Sequence, residues 1–259
     1  NEEFNTKRFK VFNGAMSAAK QPQQYFKLIY LLLKNYNFEL VINLDGFNEF
    51  ALTKFENYQY NLPLDYPAAY NSIVYAQSQD RDCVFKNNYL STTVYKLPVI
   101  EIFSYYLINK CRNKISNFKN ITMKKNMNGY ESEKVFTNFI NVSNAMSNFL
   151  KNKNVSFIHA IQPSHYFKTS KPLSKLEKEN FMTLEDAYGK EIDFFYSLLD
   201  DNIEEFKNSN FTDLRKIFMN NSETLFRDSC CHLNNEGMEK ISKAIIFKNI
   251  DLFKKLMMN

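Results

Sequence analysis

Hydrophobic and polar positions along this chain follow two periods, one of about two residues and one of about 3.6. Residues 8–13 (RFKVFN) alternate and end at Gly14-Ala15, which predicts a short strand. After Gln21-Pro22, where proline suits the first turn of a helix, Tyr25, Leu28, Ile29 and Leu32 recur at helical spacing. Residues 38–44 (FELVINL) form a nearly continuous apolar run that stops at Asp45-Gly46 and predicts a strand covered on both faces. Residues 56–70 carry Pro63 and Pro67 among many Tyr and Asn and read as an ordered surface loop. Helices are expected over 90–118 and 131–152, with a turn at 124–129. Residues 155–161 (VSFIHAI) predict a second buried strand, ended by Gln162-Pro163 because proline cannot donate to a ladder. Residues 164–221 read as a polar, helical insertion, and 225–227 as a short last strand. A closing helix is expected over 236–256, with Met238, Ile241, Ile245, Phe253 and Leu256 inward and Lys254 and Lys255 at its C-terminal end.

Strands alternating with helices predict an α/β protein with a mostly parallel sheet. Ligands of such sheets bind beyond the C-terminal ends of the strands. That rule selects residues 13–19, 45–50 and 162–165, and the turn at 228–234 before the last helix adds a fourth place.

Composition narrows the chemistry. A chain of 259 residues can bury a sizeable core as one domain, and its 5 glycines leave no Gly-rich phosphate loop. The longest apolar run, residues 28–33, is far short of the roughly 20 needed to span a bilayer. The net charge of +5 is scattered, without the basic stripe or module that nucleic-acid binding requires. Cys83, Cys111, Cys230 and Cys231 have no zinc-like spacing, so no metal is expected. They read either as four thiols or as one bridge from Cys230 or Cys231 to Cys83 or Cys111.

Two turns carry residues suited to acyl transfer. In Arg227-Asp228-Ser229-Cys230-Cys231-His232 an acid slightly upstream could orient one imidazole nitrogen, leaving the other as a base; the plainer reading is a histidine that packs at a helix start. In Asp45-Gly46-Phe47-Asn48-Glu49 the amide of Asn48 could donate to an oxyanion, or support its own loop. Gln162 and His165 follow the second buried strand and could touch substrate, whereas His159 within it reads as a core or edge histidine.

In this order the segments resemble the SGNH/GDSL hydrolases, esterases and carbohydrate deacetylases or acetyltransferases. Gly46-Phe47-Asn48-Glu49 is similar to the family's Gly-x-Asn-Asp/Glu block, His232-Leu233-Asn234 with Gly237 to its histidine block, and residues 11–15 (VFNGA) to its second block. Residues 139–163 are similar to a subset that modifies bacterial surface glycans. The resemblance implies a three-layer α/β/α sandwich with a flavodoxin-like sheet, formed as one domain over residues 1–259. It implies His232 as general base with Asp228 as its acid, and Asn48 with the Ala15 backbone N–H as oxyanion donors. The substrate would be an acylated carbohydrate or another ester, with no organic cofactor. Ala15 stands where the family has glycine, and Asp228 lies four positions before the histidine where the family has its acid three before. The family's nucleophilic serine block has no counterpart here. It is expected upstream of Asn1, with Ser17 as the only local substitute, and an extracytoplasmic location would fit such an upstream segment. The alternative is a relative that kept the fold for glycan binding or scaffolding and lost the chemistry.

Overall fold

The computed structural model describes residues 9–16, 18–58, 63–65, 129–168, 170–180, 189–206, 210–228 and 231–258. The chain divides into two compact units, residues 1–53 with 128–259, and residues 54–127. Residue 128 and most of the second unit, including the expected helix 90–118, turn residues 124–127 and residues 59–62 and 66–70 of the expected loop, lie outside the described residues. Within it, the Asn57 side chain donates to the Pro63 carbonyl at 2.7 Å.

The first unit is α/β. Its sheet has three parallel strands in the order β1 (Leu40–Asp45), β2 (Ser156–Ile161) and β3 (Phe211–Asp213). Leu40 pairs with Ser156 and Asp45 with Ile161, while His159 pairs with Phe211 across β2 and β3. Helix α1 (Gln23–Leu33) precedes β1, and α2 (Phe47–Leu52) follows it and continues into a π-helical turn, Thr53–Tyr58. Helix α3 (Gly129–Asn152) leads into β2. Helices α4 (Lys175–Asn180) and α5 (Gly189–Asn202) connect β2 to β3, and α6 (Asn235–Lys248) and α7 (Ile250–Met258) close the chain.

Strand β2 is the centre of the core. Ile158 and Ala160 are buried with Leu214, Phe226, Ile241 and Ile245. Phe157, on the alternate side of the pleat, is buried with Leu28 of α1 and with Met146 and Leu150 of α3. The buried run expected at 155–161 is therefore covered on both faces by helices, as a central parallel strand must be. Strand β1, expected to be equally buried, lies at an edge of the described sheet and leaves Ile42 exposed.

Four expectations are corrected. Residues 9–13 form no strand; Phe9 sits 6.2 Å from the Phe253 ring and Phe12 5.3 Å from Tyr36, so ring contacts replace a ladder. Residues 164–221 supply β3 as well as helices. The closing helix breaks at Asn249, whose buried side chain donates to both Thr212 Oγ1 and the Ile245 carbonyl at 2.9 Å. Of its expected inward residues, Ile241, Ile245 and Leu256 are buried, Phe253 is half-buried and Met238 is exposed. Residues 225–227 contribute a single bridge, Phe226 to Leu233.

Candidate functional site

The Phe226–Leu233 bridge closes a hairpin whose loop carries Asp228 and His232. Arg227 N–H donates to the His232 carbonyl at 3.0 Å, and Asn234 N–H to Leu225 at 2.8 Å. Inside the loop Asp228 does the work of an Asx-type turn. Its Oδ1 accepts the backbone N–H groups of Cys231 and His232 at 3.2 and 3.3 Å, and its Oδ2 lies 2.6 Å from His232 Nδ1. With the carboxylate ionised and the ring neutral, this contact selects the tautomer in which Nδ1 carries the proton and Nε2 presents its lone pair. The ring is more than half exposed, and Nε2 meets no partner among the described residues.

The residues after His232 fix this loop on α6. Asn234 caps the helix, accepting from Gly237 N–H at 2.9 Å and donating to the Thr224 carbonyl at 2.6 Å. A side chain at Gly237 would bring its Cβ to 2.9 Å from the Leu225 carbonyl, so only glycine lets the first helical turn approach so closely.

A second polar centre lies at the end of β1. Gly46 has φ +136°, and a Cβ there would meet the Tyr196 hydroxyl at 2.7 Å. Glu49, buried one turn later, accepts Gly46 N–H at 2.7 Å and Gln21 N–H at 3.3 Å. Burial and then the charge of Asp45 push the Glu49 carboxyl up to about 8. The Asn48 amide donates to the Ala19 carbonyl at 2.9 Å, which anchors it while leaving its second N–H. Asp45 Oδ2 receives Gln21 Nε2 at 3.0 Å, Asn43 Nδ2 at 2.6 Å and His159 Nε2 at 3.1 Å. Ser143 Oγ lies 2.5 Å from His159 Nδ1, so serine, histidine and aspartate stand in line. That line is sealed in the core beneath Phe139, Phe206 and Phe211, where no substrate reaches it.

Other expected site residues are engaged differently. The Ala15 N–H donates to Asn13 Oδ1 at 3.0 Å, a local turn that occupies the expected oxyanion donor. Gln162 donates its N–H to the Asp45 carbonyl at 2.8 Å and accepts the Tyr196 hydroxyl at 3.1 Å, both through its backbone. His165, expected at an open edge, is buried with its ring 4.1 Å from Tyr166 and 5.0 Å from Phe226. Aromatic packing has drawn it into the core. Tyr196 links the pieces: burial, then the charges of Cys231 and Glu49, raise its hydroxyl well above the ordinary range. Cys231 is half-buried, and Ser17, Cys83, Cys111 and Cys230 lie outside the described residues.

One supporting element is not among the sequence expectations. Glu177 Oε1 accepts Leu225 and Phe226 N–H at 2.9 and 3.0 Å, and Oε2 accepts Ser174 N–H at 2.8 Å together with the buried Lys171 ammonium. The signal was Ser174-Lys175-Leu176-Glu177, a capping box in which Ser174 Oγ also accepts Glu177 N–H at 3.2 Å.

Among the described residues no cluster of three His, Cys, Asp or Glu could hold a metal ion. A cleft of about 360 Å³ lies between β3 and the α6–α7 junction, lined by residues 210–213 and 248–252 and by neither His232 nor Asn48. No family model, curated protein or solved structure matches the chain.

Proposed function

We propose that the protein is an ester hydrolase or acetyltransferase of the SGNH type, acting on acyl esters, O-acetylated carbohydrate foremost. The observation that carries this reading is the 2.6 Å contact between Asp228 and His232, with Nε2 open at an exposed loop. In this reading His232 Nε2 takes the proton of a serine hydroxyl as the serine oxygen bonds the acyl carbon. The second N–H of Asn48 stabilises the resulting oxyanion. The imidazolium then returns its proton to the departing alcohol, and water or a sugar hydroxyl releases the acyl group from the serine. In this reading the serine belongs to a segment outside the described residues, and the domain is a three-layer sandwich.

A chromogenic acetate tests the proposal. His232→Ala is expected to lower its hydrolysis by at least about 10²-fold, the usual scale of general-base catalysis. Asp228→Asn is expected to lower it less, because the loop backbone still aims the ring. Equal rates for wild type and His232→Ala would overturn the enzyme reading. They would favour a non-catalytic glycan-binding or scaffolding domain, a reading supported by the engaged Ala15 N–H.

A further inference from the structure

Helix α1 is apolar on two sides. Leu28 turns inward with Tyr25 and Leu32 against Met146, Leu150 and Phe157. Phe26, Tyr30 and Leu33 follow at i, i+4 and i+7 on the outside, and are 63%, 58% and 76% exposed. The stripe continues past the helix end. Tyr36 N–H donates to the Leu31 carbonyl at 3.1 Å, and its ring lies 5.3 Å from exposed Phe12. A surface helix ordinarily turns polar residues to water, and a continuous apolar patch marks a surface that meets something else.

The charges around the stripe select the partner. No Asp or Glu occurs between Glu3 and Glu39, whereas Lys10, Lys27 and Lys34 lie in that stretch. Phe9 packs on Phe253 of α7, next to exposed Lys254 and Lys255. A second copy docked through the same face would bring Lys10, Lys27, Lys34, Lys254 and Lys255 up against their own equivalents, with the exposed carboxylates Glu39 and Asp251 too few to pair them all. The ammonium of Lys34 rides 5.7 Å from the centre of the Tyr30 ring, a cation held over apolar surface with its head toward solvent.

We propose that the outer face of α1, with the Phe12 segment, is a docking surface for an anionic lipid bilayer. Phe26, Tyr30 and Leu33 enter the headgroup region, and Lys10 and Lys34 meet the lipid phosphates. Interfacial binding of this kind combines apolar insertion with attraction to anionic headgroups and needs no spanning helix. No helix among the described residues is long and apolar enough to cross a membrane.

Flotation of the full chain with phosphatidylcholine vesicles, with and without phosphatidylglycerol, tests this. Wild type is expected to float with the anionic vesicles only and to be released by high salt. Phe26→Gln with Leu33→Gln is expected to lower the bound fraction about tenfold or more at an unchanged thermal midpoint, since both positions are exposed. Lys10→Glu with Lys34→Glu is expected to act in the same direction at low salt. Failure of wild type to float, equal binding to neutral vesicles, or undiminished binding of the Gln variant would each overturn the proposal. A concentration-dependent dimer abolished by the Gln variant would overturn it too, assigning the face to a second copy.

Discussion

Glu177→Ala is expected to lower the free energy of unfolding by about 3–5 kcal/mol, the range for breaking a buried ion pair. Both side chains of the Lys171–Glu177 pair are fully buried. Without the carboxylate, the Lys171 ammonium keeps, among the described residues, only the Glu223 carbonyl at 2.8 Å, and Ser174, Leu225 and Phe226 lose their N–H acceptor. Lys171→Met is expected to cost less, about 1–3 kcal/mol, because Glu177 would retain three backbone donors. Burial pushes the Glu177 carboxyl up, but Lys171 and those N–H groups outweigh it and hold the carboxyl below its ordinary value of 4.5. A depressed carboxyl stabilises the fold above its unfolded pKa and loses that contribution as pH falls through the folded value. The gap between wild type and Glu177→Ala should therefore be full at neutral pH and shrink in acid. Urea unfolding at both pH values measures it, and coincident midpoints at neutral pH would refute the role assigned to the pair. Leu225 and Phe226 lead directly into the Asp228–His232 loop, so this variant is also expected to loosen the dyad.

What the sequence made legible follows the physics of each segment. Residues 155–161 and 131–152 carry strong patterns, and both became the central elements β2 and α3. Strand β3 is three residues long, Phe211-Thr212-Asp213, too short for alternation to register, and only its pairing with β2 defines it. The alternation at residues 8–13 did not specify a ladder: Phe9 and Phe12 make ring contacts with Phe253 and Tyr36, while Phe9, Val11 and Phe12 all stay exposed. The helix break at Asn249 depends on Thr212, a residue 37 positions away, and no local signal encodes such a partner. At the candidate site Asp228 reaches His232 despite its four-residue spacing, because a short acid can bridge a turn's N–H groups and the ring together. His165 was misplaced for the opposite reason. A histidine after a strand reads as polar, yet between Tyr166 and Phe226 it packs as an aromatic ring.

Stability is expected to fall as pH rises through neutrality, and Glu49 is the cause. Its carboxyl lies buried among Asp45, Lys20, the Gly46 and Gln21 N–H groups and the Tyr196 hydroxyl, and burial and Asp45 raise it from 4.5 to about 8. A group whose folded pKa is raised stabilises the fold below its unfolded pKa and loses that contribution as pH climbs through the folded value. Between 4.5 and about 8 the native state therefore holds one proton more than the unfolded chain. Within that window the free energy of unfolding should drop by up to about 1.4 kcal/mol per pH unit. Glu49→Gln removes the titration and keeps the shape, but its amide offers one acceptor where the carboxyl has two. It should be less stable than wild type in mild acid by about 1 kcal/mol, for the lost bond to Gly46 or Gln21. Above neutrality the order should reverse, because wild type must then either bury a second carboxylate beside Asp45 or open the β1–α2 turn. Urea midpoints of both proteins from about pH 5 to about pH 9 decide the matter. Crossing curves are the expected result, and parallel curves would show that Glu49 is ionised throughout. The turn that Glu49 holds also carries Gly46 and Asn48, so any activity that depends on Asn48 is expected to decline over the same pH range in wild type and to persist in Glu49→Gln.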